Sequence, residues 1–236
     1  IASHPVFWVQ RNGRGTLQNI GNTALGKDHP NAAAEAFIHF EVSSGDGKTA
    51  KQLENAISEV LKNVNTVVEC WQAMRSKAAE IRFGLEQPYL PIDETERKQA
   101  CAFLEWIEDN NFTFISYSNA KLKTSKDGCP DLVPVARSHM GLAIDASPWS
   151  TLAENACDKL ELQAYINSPS LLVIPKANKI APVHRPAYLD YIAIKNYNSK
   201  GEMIGEHRFF GLFTRSAYNS RALDIPLLET RIRQAQ

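Results

Sequence analysis

Long apolar runs are absent from these 236 residues. The longest, such as Ser170–Pro175, are strand-sized, far short of the roughly 20 residues of a membrane helix, so no membrane partner is expected. Charge of one sign is absent too: 26 Lys and Arg balance 26 Asp and Glu. Without a basic field, general binding to nucleic acid is excluded. Cysteine is scarce, at 70, 101, 129 and 157, with no CxxC or CxH pair. A structural zinc site is excluded, and the thiols read as buried and free in a reducing compartment. The six histidines, at 4, 29, 39, 139, 184 and 207, are dispersed and lack metal-ligand spacing.

The motifs of common catalysts are missing as well. Gly45-Asp46-Gly47-Lys48-Thr49 resembles the end of a phosphate-binding loop, but Val42 stands where its first glycine belongs, so it reads as a turn and helix cap. Gly13-Arg14-Gly15 lacks the third glycine and the following helix of a dinucleotide fingerprint. No HExxH, GxSxG or calcium loop occurs. The expectation is no catalytic, cofactor-binding or metal-binding residue in this chain.

What is present is an α+β pattern with ordinary globular composition, 44% apolar and 22% charged. Val6–Val9 and the alternating Phe37–Val42 predict strands, with Asn19–Ala34 a loop between them. Thr49 with Gln52 forms a capping box opening a helix through Val64, and a second helix is predicted from about Val64 to Phe83. Asp93 with Glu96 opens another, with Ala100, Phe103, Leu104 and Ile107 on one face. After Asn111 the period changes to two. Phe112–Lys123, Met140–Ile144, Leu171–Ile174, Ala187–Tyr197 and Met203–Thr214 predict a five-stranded, mainly antiparallel sheet, with a short helix at Leu152–Tyr165. Ile1 is not Met, and Arg231–Gln236 still reads as helix, as expected of a fragment of something longer.

Asn198-Ser199-Lys200-Gly201 predicts a tight turn pairing Asn198 with Glu202. Continued without interruption, that register puts Asp190 and Arg208 on one sheet face. A buried charge needs a partner, so Asp190, Arg208 and Glu206 are expected to form a structural ion pair, with Lys176 able to join. Lys176, Lys179, His184 and Arg185 cluster between two strands, as a solvated basic loop or a grip for an anion.

Several stretches together resemble a known family. They are His4–Phe7, Ala36–Glu41, Val68–Met74, Ala102–Ile107 running into Asn111–Phe114, Pro175–Asn178, Val183–Tyr191 and Gly205–Thr214. In order and spacing they are similar to the N-terminal region of the large bacterial NAD-specific glutamate dehydrogenases. The resemblance implies a long, cytoplasmic, homo-oligomeric parent that oxidises L-glutamate to 2-oxoglutarate and ammonia with NAD. It implies catalysis and NAD binding in the rest of the same polypeptide, with no catalytic residue carried onto any position here. It further implies a partial ACT-like module at 1–62, a helical connector at 63–110 and a PAS-like module at 111–236, regulatory or architectural in role. His207 departs from the family motif, which has Arg there. The alternative is a ligand-sensing ACT/PAS-type module of another metabolic or signalling protein.

Overall fold

The computed structural model describes residues 4–21, 32–41, 49–86, 92–125, 128–144 and 157–229. The chain divides into two units, Ile1–Glu54 and Asn55–Gln236. The division falls within a helix, eight positions before the expected boundary at residue 62.

In the first unit, β1 (Val6–Arg11) lies between β2 (Leu17–Gly21) and β3 (Ala32–Ala36), antiparallel to both. Gly13 and Gly15 sit in the hairpin joining β1 to β2, where Gly15 N donates to Asn12 O. The strand expected at Phe37–Val42 lies earlier, at β3. Phe37 N still reaches Pro5 O (2.9 Å), but Pro5 has no N–H to return and the ladder stops there. Phe37, Ile38 and Phe40 are therefore exposed rather than half-buried. Gly45–Lys48 lie outside the described residues.

The helix α1 (Ala50–Leu85), which begins in the first unit and continues into the second, is one continuous helix where the sequence reads as two. Its cap is the reciprocal box: Gln52 N donates to Thr49 Oγ1 (3.2 Å) and Thr49 N to Gln52 Oε1 (2.9 Å). The apolar stripe continues without a breaker, but only its second half is covered. Val60, Leu61, Val64 and Val68 stay exposed, whereas Val67, Met74, Ala78, Ile81 and Leu85 are buried. Asp93 caps α2 (Glu94–Trp106) by accepting from Thr95 N and Glu96 N. Glu96 does not return the favour to Asp93; its Oε2 accepts from Leu171 N (3.3 Å) and ties α2 to the sheet. A wide turn, Ile107–Asn111, follows.

The second sheet runs β5 (Pro130–Pro134), β4 (Phe112–Thr124), β10 (Met203–Phe213), β9 (Tyr188–Tyr197), β7 (Leu172–Val173). Two short strands are added, β6 (Met140–Gly141) on β4 and β8 (Lys176–Ile180) on β9, and all pairings are antiparallel. β5 and β8 are additions to the five strands read from sequence. The helix α3 (Cys157–Asn167) falls within the expected helical stretch, whose first residues lie outside the described ones. The helix α4 (Arg215–Asn219) follows β10.

One face of this sheet carries Phe112, Phe114, Tyr117, Ile192, Ile194 and Phe209, packed with Met74, Ala78, Phe103, Leu104 and Ile107 of the helices and turn. The opposite face carries Tyr191, Ala193, Phe210 and Leu212 over Ala181 and Val183, with Leu162 and Tyr165 of α3 over Ala120 and Leu132. Both faces are dry, so the central strands read as near-continuous apolar runs.

The 198–201 turn forms as its sequence specifies: Gly201 has φ +83, its N–H reaches Asn198 O (3.0 Å), and Asn198 N reaches Glu202 O (3.0 Å). Tyr197 faces Met203. Then the register slips, because Ile204 is an extra residue and Gly205 faces Asn196. Gly205 accommodates the bulge: a Cβ there would lie 2.1 Å from Ala120 O on β4.

His207 faces the helices. Its Nδ1 shares a hydrogen bond with Tyr117 Oη (2.9 Å). Burial, reinforced by Lys77, lowers its pKa to about 4, and burial raises that of Tyr117 to about 12. The unfolded chain takes up a proton near pH 6.5 that the folded His207 refuses until about 4. Stability should therefore fall as pH drops through that window, by roughly 1–3 kcal/mol from this group. Urea unfolding of His207→Gln between pH 7 and 4.5 should show a correspondingly flatter decline than the parent chain; equal slopes would refute the assignment.

Candidate functional site

The slip at Ile204 decides where the expected ion pair goes. Gly211 faces Asp190 and Arg208 faces Ala193, so Asp190 and Arg208 emerge on opposite faces of the sheet. The Asp190–Arg208 pair is thus not formed. Asp190, almost fully buried, is paired with Lys176 Nζ (2.6 Å) on the adjoining β8, and its Oδ2 accepts from Phe213 N (3.4 Å).

Arg208 belongs to a separate buried cluster. Its Nε donates to Glu206 Oε1 (2.5 Å), two residues along the same face, and its Nη2 reaches Leu132 O (3.5 Å). Tyr191 Oη donates to the same Glu206 oxygen (2.5 Å). Lys195 stands directly across from Glu206 in the ladder. Its ammonium donates to Ser168 O (2.6 Å), Ser168 Oγ (3.1 Å) and Ile166 O (3.4 Å), and lies 4.8 Å from the centre of the Tyr165 ring. Glu206 is 0% exposed, Lys195 1% and Arg208 5%. Burial lowers the Lys195 pKa to about 8 despite the pull of Glu206. Burial, then Glu206, pushes the Tyr165 phenol well up. Burial opposes the charge on Arg208, but Tyr191 and Glu206 outweigh it and raise its pKa.

This cluster has the composition of an acid–base site but not its access. Two of the cavities among the described residues of the second unit bear on this. One, about 400 Å³, adjoins the middle of α1 and the start of β4. The other, about 730 Å³, is walled by Phe103, Trp106, Ile174, Phe213 and Leu227. Neither is lined by Glu206, Arg208, Lys195 or Tyr191. The cluster's hydrogen bonds tie β9, β10, β5 and α3 together.

The basic cluster does not converge. Lys176 is taken by Asp190, and Arg185 Nη2 donates to Phe213 O (3.1 Å) with its guanidinium 5.7 Å from the Tyr218 ring centre. Lys179 is exposed, and His184, also exposed, lines the smaller cavity. Lys176 and Arg185 are therefore already engaged within the chain. Lys195 was missed in the sequence because a lone Lys in a strand reads as a solvent-facing residue; its alternation with Tyr191 and Ala193 is the signal that places it inward. Cys70, Cys101 and Cys129 are half-buried rather than buried. No helix is long and apolar enough to cross a membrane among the described residues.

No family model matches the chain. It aligns with the NAD-specific glutamate dehydrogenase of Pseudomonas aeruginosa at 34% identity over 233 residues, covering 96% of this chain and 14% of that protein. By sequence, this chain is one region of the large NAD-specific glutamate dehydrogenases. The Halomonas elongata enzyme matches at 30% identity, again over 96% of the chain and 14% of the relative. The Mycobacterium tuberculosis enzyme matches at 27%, over 98% of the chain and 13% of the relative. The chain therefore spans about one seventh of the length of these dehydrogenases.

NAD is implied by those relatives' names, and the residues here do not fit it. A dinucleotide site needs parallel strands joined by a helix whose N-terminus meets the pyrophosphate. Every strand pairing among the described residues is antiparallel, and Gly13-Arg14-Gly15 occupies a hairpin turn.

Proposed function

We infer that the chain is the N-terminal, non-catalytic region of an NAD-specific glutamate dehydrogenase, serving regulation or assembly. The observation that carries this reading is the match along nearly the whole chain to a small share of each relative. The parent converts L-glutamate to 2-oxoglutarate and ammonia with NAD in the rest of the polypeptide, as a cytoplasmic homo-oligomer. Residues 1–62 act as part of an ACT-like module, 63–110 as a helical connector and 111–236 as a PAS-like module. The buried Glu206–Arg208–Lys195 cluster supports a structural role, since Arg208 and Tyr191 both bond to Glu206 Oε1 and backbone carbonyls hold Lys195.

Purified alone, the chain should form no NADH from glutamate and NAD. Turnover above a mock preparation would overturn the reading. In the parent enzyme, deletion of 1–236 should alter oligomeric state or effector response while the KM values for glutamate and NAD stay put. A deletion that abolishes NAD binding with the assembly intact would also count against it.

A further inference from the structure

The smaller cavity, about 400 Å³, falls within the size range of small-molecule sites. Its walls combine apolar side chains from three elements, Val67 and Trp71 from α1, Ile115 from β4 and Val183 from the loop before β9. A few polar groups converge on it: Arg75, Glu108, Asn110 and His184. Glu108 is already neutralised by Arg82, whose Nε lies 3.2 Å from its Oε1. Arg75 differs. It is half-buried one helical turn beyond Trp71, and no hydrogen bond or ion pair engages its guanidinium among the described residues. Arginine withdrawn from solvent is ordinarily paired.

The backbone around this cavity is strained as well. Asn110 (φ +59) and His184 (φ +73) are two of four non-glycine residues with positive φ among the described residues. Asn and His adopt that conformation more readily than most side chains, still at a cost, and such positions collect at binding sites. Both residues line this one cavity, on segments far apart in sequence.

We propose that this cavity binds a small monocarboxylate with an apolar body, its carboxylate on Arg75 and its hydrocarbon against Trp71, Val67 and Val183. The charge follows from the residues: with Glu108 held by Arg82, the unspent formal charge on the lining is the Arg75 guanidinium. A planar fork of N–H donors suits a carboxylate. The apolar walls select against small, fully hydrated anions such as phosphate. This site stands on the cavity itself, whether or not the chain serves a dehydrogenase.

The test is isothermal titration calorimetry of the 236-residue chain with 3-phenylpropionate, and with its neutral isostere 3-phenylpropionamide. Saturable binding of the acid is expected, with the amide weaker by about tenfold or more, the usual loss for a hydrogen bond to a charged group. Arg75→Gln should bring the acid down to the amide's affinity and leave the amide unchanged; Arg75→Lys should recover part of the difference. Acid and amide binding equally would overturn the proposal, as would no saturable binding of the acid up to about 10 mM. Equal affinity of the parent chain and Arg75→Gln for the acid would overturn it too.

Discussion

Replacing Glu206 with Met should destabilise the chain by about 3–5 kcal/mol, the usual result of leaving a buried charge without its partner. The effect should exceed that of Arg208→Met. Loss of Glu206 strands the Arg208 guanidinium, removes an acceptor of the Tyr191 hydroxyl and takes away a charge that favours the Lys195 ammonium. Loss of Arg208 leaves Glu206 with Tyr191 and Lys195 still beside it. The double variant Glu206→Met with Arg208→Met should lose less than the two single losses together, because neither charge is then orphaned. By contrast, Asp190→Asn with Arg208→Met should be additive within about 0.5 kcal/mol, since the two side chains emerge on opposite faces. Urea unfolding of the two cycles decides it. Strong coupling of Asp190 to Arg208, or none of Glu206 to Arg208, would contradict the register seen here.

The second large effect is expected in α2. Phe103 is 2% exposed, with ring centroids 5.9 Å from Trp106 and 6.4 Å from Phe213. Phe103→Ala should cost about 3–5 kcal/mol, the range for a large side chain removed from a packed core. Those neighbours sit on rigid elements, so little collapse into the gap is available. Leu223→Ala serves as the control: Leu223 is 50% exposed, and a change within about 0.5 kcal/mol is expected. A loss below about 1 kcal/mol at Phe103 would mean that the α2 face is not packed in solution.

Local chemistry was legible in the sequence wherever it is settled within a few residues. The Thr49–Gln52 box and the 198–201 turn need only their own side chains and a glycine able to reach positive φ. The long strands β4, β9 and β10 were legible because Phe, Ile and Tyr recur in runs that only a doubly covered sheet can hide. Two strands were not: β5 carries a proline at each end and β8 two lysines, both common on sheet edges and both read as loop. The continuity of α1 was hidden because its apolar pattern reads as two helical stretches meeting near Val64, although no breaker stands between them. Within the candidate site, Glu206 and Arg208 announced themselves as charges inside an apolar strand. Their partners could not be read, because a bulge is decided by how closely the neighbouring strand approaches. That approach, Ala120 O against Gly205, is a contact between positions far apart in the chain.

The extra residue at Ile204 also constrains how this region can change length over descent. A sheet with one greasy helix-facing side and one side holding a sealed charge cluster is sensitive to whether length changes by an odd or an even number of residues. The tip, Ser199–Lys200, can gain or lose residues and leave both strands in step. Deleting Ile204 would instead turn Glu206 and Arg208 toward the helices, or force the rest of β10 to slide by one against both neighbours. Relatives of this chain should accordingly vary at the tip and keep the spacing from Gly205 to Thr214 intact, with a compensating single-residue change in β9 as the natural escape.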